Sequence, residues 1–245
     1  MTDSDERLQN EIEHGRFLAG NGAGDVWNWE TPAGKIRWKR RVGMLMSHIP
    51  PEMNVLELGC GTGYLTRELA RTGAVITAID ISPDLLEQAQ AEIDAKNVSF
   101  LQENAYDMSF FDDGFDTVIG SSVLHHLDVD RALSEVHRVL KPGGSIYFTE
   151  PNLMNPQIAL QKKIPFLKRL LGDSPDETAF FRWPFGRLLS EKGFVDIEIT
   201  PFDFLHPWIP RLFLPVVKPV CSAAEKIPVV NEIAGSLFIR ARKMK

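Results

Sequence analysis

Asn54-Val55-Leu56-Glu57-Leu58-Gly59-Cys60-Gly61-Thr62-Gly63 is an apolar run that breaks into three glycines at alternate positions. Val55, Leu56 and Leu58 read as a buried parallel strand, and the glycines let the backbone turn sharply and approach a ligand with no Cβ in the way. A helix is predicted from Tyr64 to Arg71. The loop therefore meets a helix N-terminus, where free N–H groups and the positive dipole end favour an anionic group. This is the mark of a nucleotide site. The spacing alone also serves dinucleotide loops and plain tight turns, so the neighbouring residues decide.

Working outward, Ala74–Asp80 makes a second apolar strand, joined to the first through a helix as a right-handed βαβ unit. It ends in Asp80, 17 residues past Gly63, where a carboxylate can accept both hydroxyls of an adenosyl ribose. The competing reading is a solvated strand-end acid. Ser82-Pro83-Asp84 opens a helix, with Ser as N-cap and Pro in the first turn, running to about Ala95. Val98–Leu101 is a third strand, followed by Glu103-Asn104-Ala105-Tyr106-Asp107. Phe115–Gly120 is a fourth, followed by Ser121-Ser122-Val123-Leu124-His125-His126-Leu127-Asp128. Asp130–Leu140 is predicted helical, stopped by Lys141-Pro142-Gly143-Gly144. Ser145–Thr149 is a fifth strand leading to Glu150-Pro151-Asn152. Such alternation implies an open, doubly wound α/β sheet with its ligands at the carboxyl ends of the strands.

The flanks are less regular. Residues 1–50 open polar, turn at Gly20-Asn21-Gly22-Ala23-Gly24, and then interleave Trp27, Trp29 and Trp38 with Lys35, Arg37, Lys39, Arg40 and Arg41. Two readings compete: a clamp for an anionic or aromatic ligand, or a helix from Lys35 to His48 packing Ile36, Val42, Leu45 and Met46 with its cations solvated. Arg37 and Arg41 would share a face. Beyond the core, Leu153–Arg169 reads as a helical insertion, Asp173–Glu177 as a loop, Phe185–Lys192 as a helix, and Val195–Thr200 and Ser236–Arg242 as strands. Between those strands, residues 201–235 are rich in proline and bulky apolar groups, where a hairpin needs only a few residues.

Composition bounds the rest. The chain of 245 residues is 44% hydrophobic, enough for a single domain: a helical cap at 1–50, a ligand-binding core at 51–150, and a C-terminal part at 151–245 with its insertion. A net charge of -6 disfavours nucleic acid as a partner. Cys60 and Cys221 form no disulfide framework and no metal spacing, so no metal is expected and a reducing cytoplasm fits. The acidic start is unlike a signal peptide, and no apolar stretch approaches the ~20 residues of a membrane span.

The segments Glu57–Gly63, Asp80-Ile81-Ser82, Phe115-Asp116, His125-His126-Leu127 and Arg138–Gly144 together resemble the class I S-adenosylmethionine-dependent methyltransferases, in the broad group that includes ubiquinone and menaquinone biosynthesis enzymes. That resemblance implies a Rossmann-like seven-stranded sheet with an antiparallel last strand, and S-adenosylmethionine as cofactor. It places Gly59, Cys60, Gly61, Gly63 and Ser121 along the cofactor, Glu57 near its ammonium, Asp80 on the ribose and Ile81 against the adenine. Asn104 stands where relatives carry an Asp that accepts from the adenine amino group, and Ala105 would donate its N–H. A loop of GxGxG followed by Tyr64 separates the chain from nicotinamide enzymes.

Methyl transfer from a sulfonium needs alignment and, for a hydroxyl or carbon acid, a base. His125 or His126 is the candidate, His125 preferred; the alternative is a cap or packing role. Glu150 and Asn152 are candidates to face the acceptor, Asn152 equally as a helix cap, and Tyr106 to cover the adenine or the pocket mouth. Ser121-Ser122-Val123-Leu124 replaces the Asn-Pro-Pro-aromatic motif of enzymes acting on adenine or glutamine amino groups. The expected reaction is methylation of an oxygen or carbon on a small, hydrophobic acceptor. Lipid-linked or sugar-containing acceptors and a non-catalytic cofactor-binding role are the alternatives. The late insertion is expected as an apolar lid, with peripheral membrane contact through residues 204–220 beside Arg211, Lys218 and Lys226, or as an ordinary cap or dimer contact.

Overall fold

The computed structural model describes residues 3–164, 166–168 and 173–245. Among them, β1 (Asn54–Leu58), β2 (Val75–Asp80), β3 (Val98–Gln102), β4 (Phe115–Ser121), β5 (Leu140–Pro151), β6 (Phe194–Phe202) and β7 (Ser236–Lys243) form one seven-stranded sheet in the order β3-β2-β1-β4-β5-β7-β6. All neighbours are parallel except β7, which is antiparallel to both β5 and β6. The order reverses between β1 and β4, which makes their carboxyl ends the natural crevice.

The apolar character of β1 at Val55, Leu56 and Leu58 has a simple cause: both faces of the strand are covered. Val55 joins Val42, Leu45, Leu65, Leu69 and Ile76 on one side. Leu56 and Leu58 join Val118, Leu133, Val136, Phe148 and Ile239 on the other. The helices supplying these layers are α3 (Pro32–Met46), α4 (Tyr64–Leu69), α5 (Pro83–Glu92) and α6 (Val129–Val139). In α6, Ala132, Leu133, Val136 and Val139 are buried at helical spacing, and Asp128 caps the first turn by accepting from the Arg131 N–H.

Three expectations need correction. Helix α6 ends at Val139, and no proline or glycine stops it. Leu140 is fully buried, pairs with Phe115 and already belongs to β5, while a bulge between Phe115 and Thr117 absorbs Lys141–Gly144. Helix α5 stops at Glu92, short of Ala95, because Ile93 turns extended. In the Leu153–Arg169 stretch the capped helix is only α7 (Pro156–Lys163), and Arg169 lies outside the described residues. The cations of α3 also divide: Lys39 and Arg40 are exposed, whereas Arg41 is buried.

The polar N-terminus forms a long helix, α1 (Asp3–Asn21), followed by a short turn of helix, α2 (Ala23–Val26). Helix α1 crosses α5 at Gly15, where a Cβ would stand 2.4 Å from Ser82 Oγ; Leu18 packs there on Leu85 and Ala23. No helix among the described residues is long and apolar enough to cross a membrane. A Gly15→Val substitution should lower the unfolding free energy by about 1–3 kcal/mol through overpacking and release α1 to limited proteolysis. A protease-resistant α1 in that variant would show that the crossing is not tight.

Candidate active site

At the carboxyl ends of β1, β2 and β4 lies a cavity of about 550 Å³, closed over by α1, α2, α3 and the Pro207-Trp208 edge. Gly59 and Gly61 hold positive φ angles of 66° and 53°, and a Cβ on Gly59 would fall 2.3 Å from Val123 Cγ2. Only glycine fits there. Asp80 ends β2 with each oxygen tied to the backbone: Oδ2 accepts from the Gly61 N–H at 2.8 Å, and Oδ1 from the Ser82 N–H at 2.9 Å. Each oxygen keeps a second lone pair for a ligand hydroxyl. Burial raises its pKa above the ordinary carboxylate range.

Glu57 is fully buried in the same wall, and its Oε2 has no partner among the described residues. Burial pushes its carboxyl up to about 8, so in the free protein it is protonated at neutral pH. Burial also raises the Cys60 thiol, which makes this residue a wall and not a nucleophile. Ile81, Ala105 and Ser121 line the cavity, but Gly63 and Asn104 are not among its lining residues. Gly63 caps α4 in the left-handed conformation, and a Cβ there would meet Ile93 Cδ1 at 2.5 Å. Asn104 Oδ1 is used locally, accepting from the Tyr106 N–H at 3.0 Å. Tyr106 takes its place in the wall, with its hydroxyl accepting from the Asp128 N–H at 2.8 Å.

His125 and His126 both reach the cavity, in different charge states. Glu150, fully buried at the end of β5, accepts from the Val123 and Leu124 N–H groups at 3.0 and 2.9 Å and lies 2.7 Å from His125 Nδ1. A carboxylate that only accepts assigns the proton to Nδ1, leaving Nε2 as an acceptor. Burial, reinforced by cationic His126, lowers the pKa of His125. His126 Nδ1 lies 2.9 Å from Glu11 Oε2 and 3.8 Å from Glu177 Oε1. Against the cost of burial, these carboxylates push it up to about 9.

Glu177 in turn takes Lys162 Nζ at 2.5 Å and the Ser174 N–H at 2.7 Å. Despite its burial, His126, His125 and Lys162 hold it well below the usual carboxylate range. The ligand atoms of His125, His126 and Glu177 lie within 4.8 Å of one another, close enough for a cation; the Lys162 ammonium on Glu177 supplies positive charge there.

Some of the site carries no motif. Glu11 and Glu177 come from α1 and a late loop, brought onto His126 across the cavity, and no local pattern announces them. Arg41 could be suspected from its spacing to Arg37, yet its inward orientation could not. Its guanidinium donates to Ser122 Oγ at 2.9 Å, Thr149 Oγ1 at 3.1 Å and Ser236 Oγ at 2.9 Å, and sits 5.2 Å over the Trp29 ring. Its Nε has no hydrogen-bond partner among the described residues. Burial lowers it only to about 10, so it stays charged. A buried cation held by hydroxyls alone suits an anionic ligand group. Trp27, Trp29, Trp38 and Arg37 line the same cavity, whereas Lys35, Lys39 and Arg40 stay exposed on α3 with Val42 and Leu45 buried, as the helix reading has it. Asn152 is not among the cavity's lining residues; it ties β5 to the last turn before β7 by donating to the Glu232 and Ala234 carbonyls at 2.9 and 2.8 Å.

Residues 56–148 match the family described as methyltransferase domain. A demethylmenaquinone methyltransferase of Chlorobaculum tepidum is 38% identical over 62% of this chain and 70% of its own length. The O-methyltransferase resE of Aspergillus sclerotiorum is 35% identical over 89% of this chain and 83% of its own. The chain spans only 32% of a longer relative, a glycine/sarcosine/dimethylglycine N-methyltransferase of Actinopolyspora halophila, at 36% identity over 76% of this chain. Among solved structures, phosphoethanolamine N-methyltransferase 2 of Haemonchus contortus in complex with S-adenosyl-L-methionine superposes with a TM-score of 0.61 at 19% identity, over 85% of this chain and 53% of that one.

The charge of His126 links stability to pH. Its pKa is raised from 6.5 to about 9 on folding, so its contribution is fully present below pH ~6.5 and is lost as pH rises through about 9. Urea unfolding at pH 6 and pH 9.5 should show the native chain losing up to about 3 kcal/mol relative to His126→Gln. Parallel pH dependence in the two proteins would remove His126 as the cause.

Proposed function

The chain belongs to the class I S-adenosylmethionine-dependent methyltransferases, and on that footing we propose that it methylates an oxygen or carbon of a small hydrophobic acceptor, with His125 as general base. The observation that carries this reading is the 2.7 Å contact from His125 Nδ1 to the buried Glu150 carboxylate. It assigns the proton to Nδ1 and leaves Nε2, 3.8 Å from Glu177 Oε2, as the nitrogen able to accept a proton from a hydroxyl or an acidic carbon. His126, held as an imidazolium, is unsuited to that task and serves instead to tie α1 and Glu177 over the site.

The residues present fit the cofactor. Glu57 has an orphaned buried oxygen suited to an ammonium, Asp80 keeps free lone pairs for the ribose hydroxyls, and Ile81, Ala105 and Tyr106 offer an apolar edge for the adenine. The left-handed glycines Gly59 and Gly61 let the backbone approach on either side of Cys60, and Arg41 suits a carboxylate. When bound, the cofactor supplies a methyl group already activated on a sulfonium sulfur. The protein's remaining tasks are orientation, exclusion of water and removal of one proton. Trp27, Trp29, Trp38, Leu8 and Leu18 give the cavity the apolar lining a hydrophobic acceptor needs. The name of the Aspergillus relative, an O-methyltransferase, supports an oxygen acceptor, and that of the Chlorobaculum relative, a demethylmenaquinone methyltransferase, supports a hydrophobic one.

His125→Ala should lower kcat by about 10²–10⁴-fold with the cofactor Kd unchanged, and kcat/KM of the native chain should fall with acid only below pH ~6.5, because the base must be neutral. A normal rate in His125→Ala would sink the assignment. Cofactor binding at pH 7 should release about one proton as Glu57 ionises against the ammonium, measured by calorimetry in buffers of different ionisation enthalpy. Glu57→Gln should abolish that release; an unchanged proton count would place the ammonium elsewhere.

A further inference from the structure

Beside the Pro207-Trp208 edge of the cavity lies a face that nothing among the described residues covers. The insertion after β6 carries α8 (Leu214–Ala224) as its main element, preceded by a 3₁₀ turn at Arg211–Phe213; the helix Arg182–Glu191 before β6 packs elsewhere, on the sheet. Leu214, Val217, Cys221 and Ala224 give α8 a half-buried face at helical spacing, and no residue of it is fully buried. The opposite side is also apolar: Leu212 is 82% exposed, Val216 69% and Val220 63%, continued by Phe213, Ile227 and Val229. A helix on a water-facing surface normally turns charge outward, and an exposed patch of this kind marks an interaction site.

Its charge says what it fits. Arg211, Lys218 and Lys226 are exposed, whereas the acids of the same segment turn inward: Glu225 is held by Arg40 through two short bonds, and Asp203 by Arg37 at 2.7 Å. A chain of net charge -6 thus presents a face whose free charges are all positive. The edge is anchored to the cavity. The Pro207 carbonyl accepts from Thr31 Oγ1 at 2.8 Å, and the exposed Trp208, which lines the cavity, donates its indole N–H to Asn28 Oδ1 at 3.1 Å. Apolar surface, cations and an amphipathic tryptophan side by side are the makings of an interfacial segment.

We propose that the face formed by Trp208–Val229 docks on an anionic lipid bilayer, placing the mouth of the cavity at the acyl boundary. Delivery of a hydrophobic acceptor along Trp208 rests on the methyltransferase reading above; docking itself does not. A second copy is the weaker occupant, because a two-fold contact sets the same patch against itself and so brings two cationic surfaces together.

Co-sedimentation of the full chain with phosphatidylcholine vesicles, with and without about 30 mol% phosphatidylglycerol, tests this. The native chain should partition into the anionic vesicles, and the combined Arg211→Gln, Lys218→Gln and Lys226→Gln variant should lose on the order of a hundredfold in affinity, about fivefold per cation. Leu212→Glu with Val216→Glu should abolish binding to either vesicle. Both variants should keep the S-adenosylmethionine affinity of the native chain, which reports the cavity and an intact fold. The proposal falls if the native chain stays in the supernatant with anionic vesicles, or if the apolar variant still binds them. It falls also if sedimentation velocity shows a dimer that disperses in Leu212→Glu with Val216→Glu and ignores lipid. Catalysis and docking separate cleanly: a chain that binds vesicles but lacks turnover keeps the docking face and loses the reading of His125.

Discussion

The carboxylate of Glu150 is the constraint on which the site depends. A charge buried at the end of a central strand costs several kcal/mol unless every lone pair finds a donor, and here two backbone N–H groups and one imidazole N–H meet it. The two N–H groups come from the turn after β4, so the carboxylate sets the path of that turn as well as the orientation of His125. Strand β4, strand β5 and the proton-accepting nitrogen are thereby locked into one geometry. Ser122 bears some of the strain, sitting at a φ of 58° with its N–H bonded to the Thr149 carbonyl at 2.7 Å.

A second set of charges closes the cavity. Glu11 on α1, His126 after β4, and Lys162 and Glu177 from the C-terminal part meet in one buried cluster, extended by Asn10 on Asp176 at 2.8 Å and Glu11 on Ser174 Oγ at 2.7 Å. Such a cluster is a weak source of net stability, because desolvation offsets most of the attraction. Its clearest consequence is in geometry: the charges join α1 to the turn after β4 and to the C-terminal part of the chain. The helix is also held where it touches α5, at Gly15 on Ser82. A polar N-terminal helix that would be marginal alone is stable here because its partners are supplied from three distant parts of the chain.

Much of the architecture was legible in local pattern. The apolar Val55, Leu56 and Leu58 of β1, the glycines at alternate positions, the Ser82-Pro83 cap and the periodicity of α6 each state their own conformation. Helix ends read from proline and glycine were less dependable: Leu140 left the helix early because pairing with Phe115 and burial in the core outweighed local propensity. Of the anticipated ligand contacts, Glu57, Gly59, Cys60, Gly61, Asp80, Ile81, Ala105 and Ser121 line the cavity, because each sits at or just beyond the end of a strand. Gly63 and Asn104 do not, since one is consumed by a helix cap and the other by its own turn.

Residue spacing by itself determined the βαβ core, the glycine loop and the pair of histidines, since those depend on contacts between neighbours in the chain. What only the tertiary structure decided is charge and orientation. Two adjacent histidines are chemically equivalent in the sequence, yet one is neutral beside Glu150 and the other cationic between Glu11 and Glu177. Likewise Arg41 differs from Arg40 only in which side of α3 it occupies, buried over Trp29 rather than exposed on Glu225. A pKa and a direction of approach come from groups that folding brings together from far along the chain, and no local pattern encodes them.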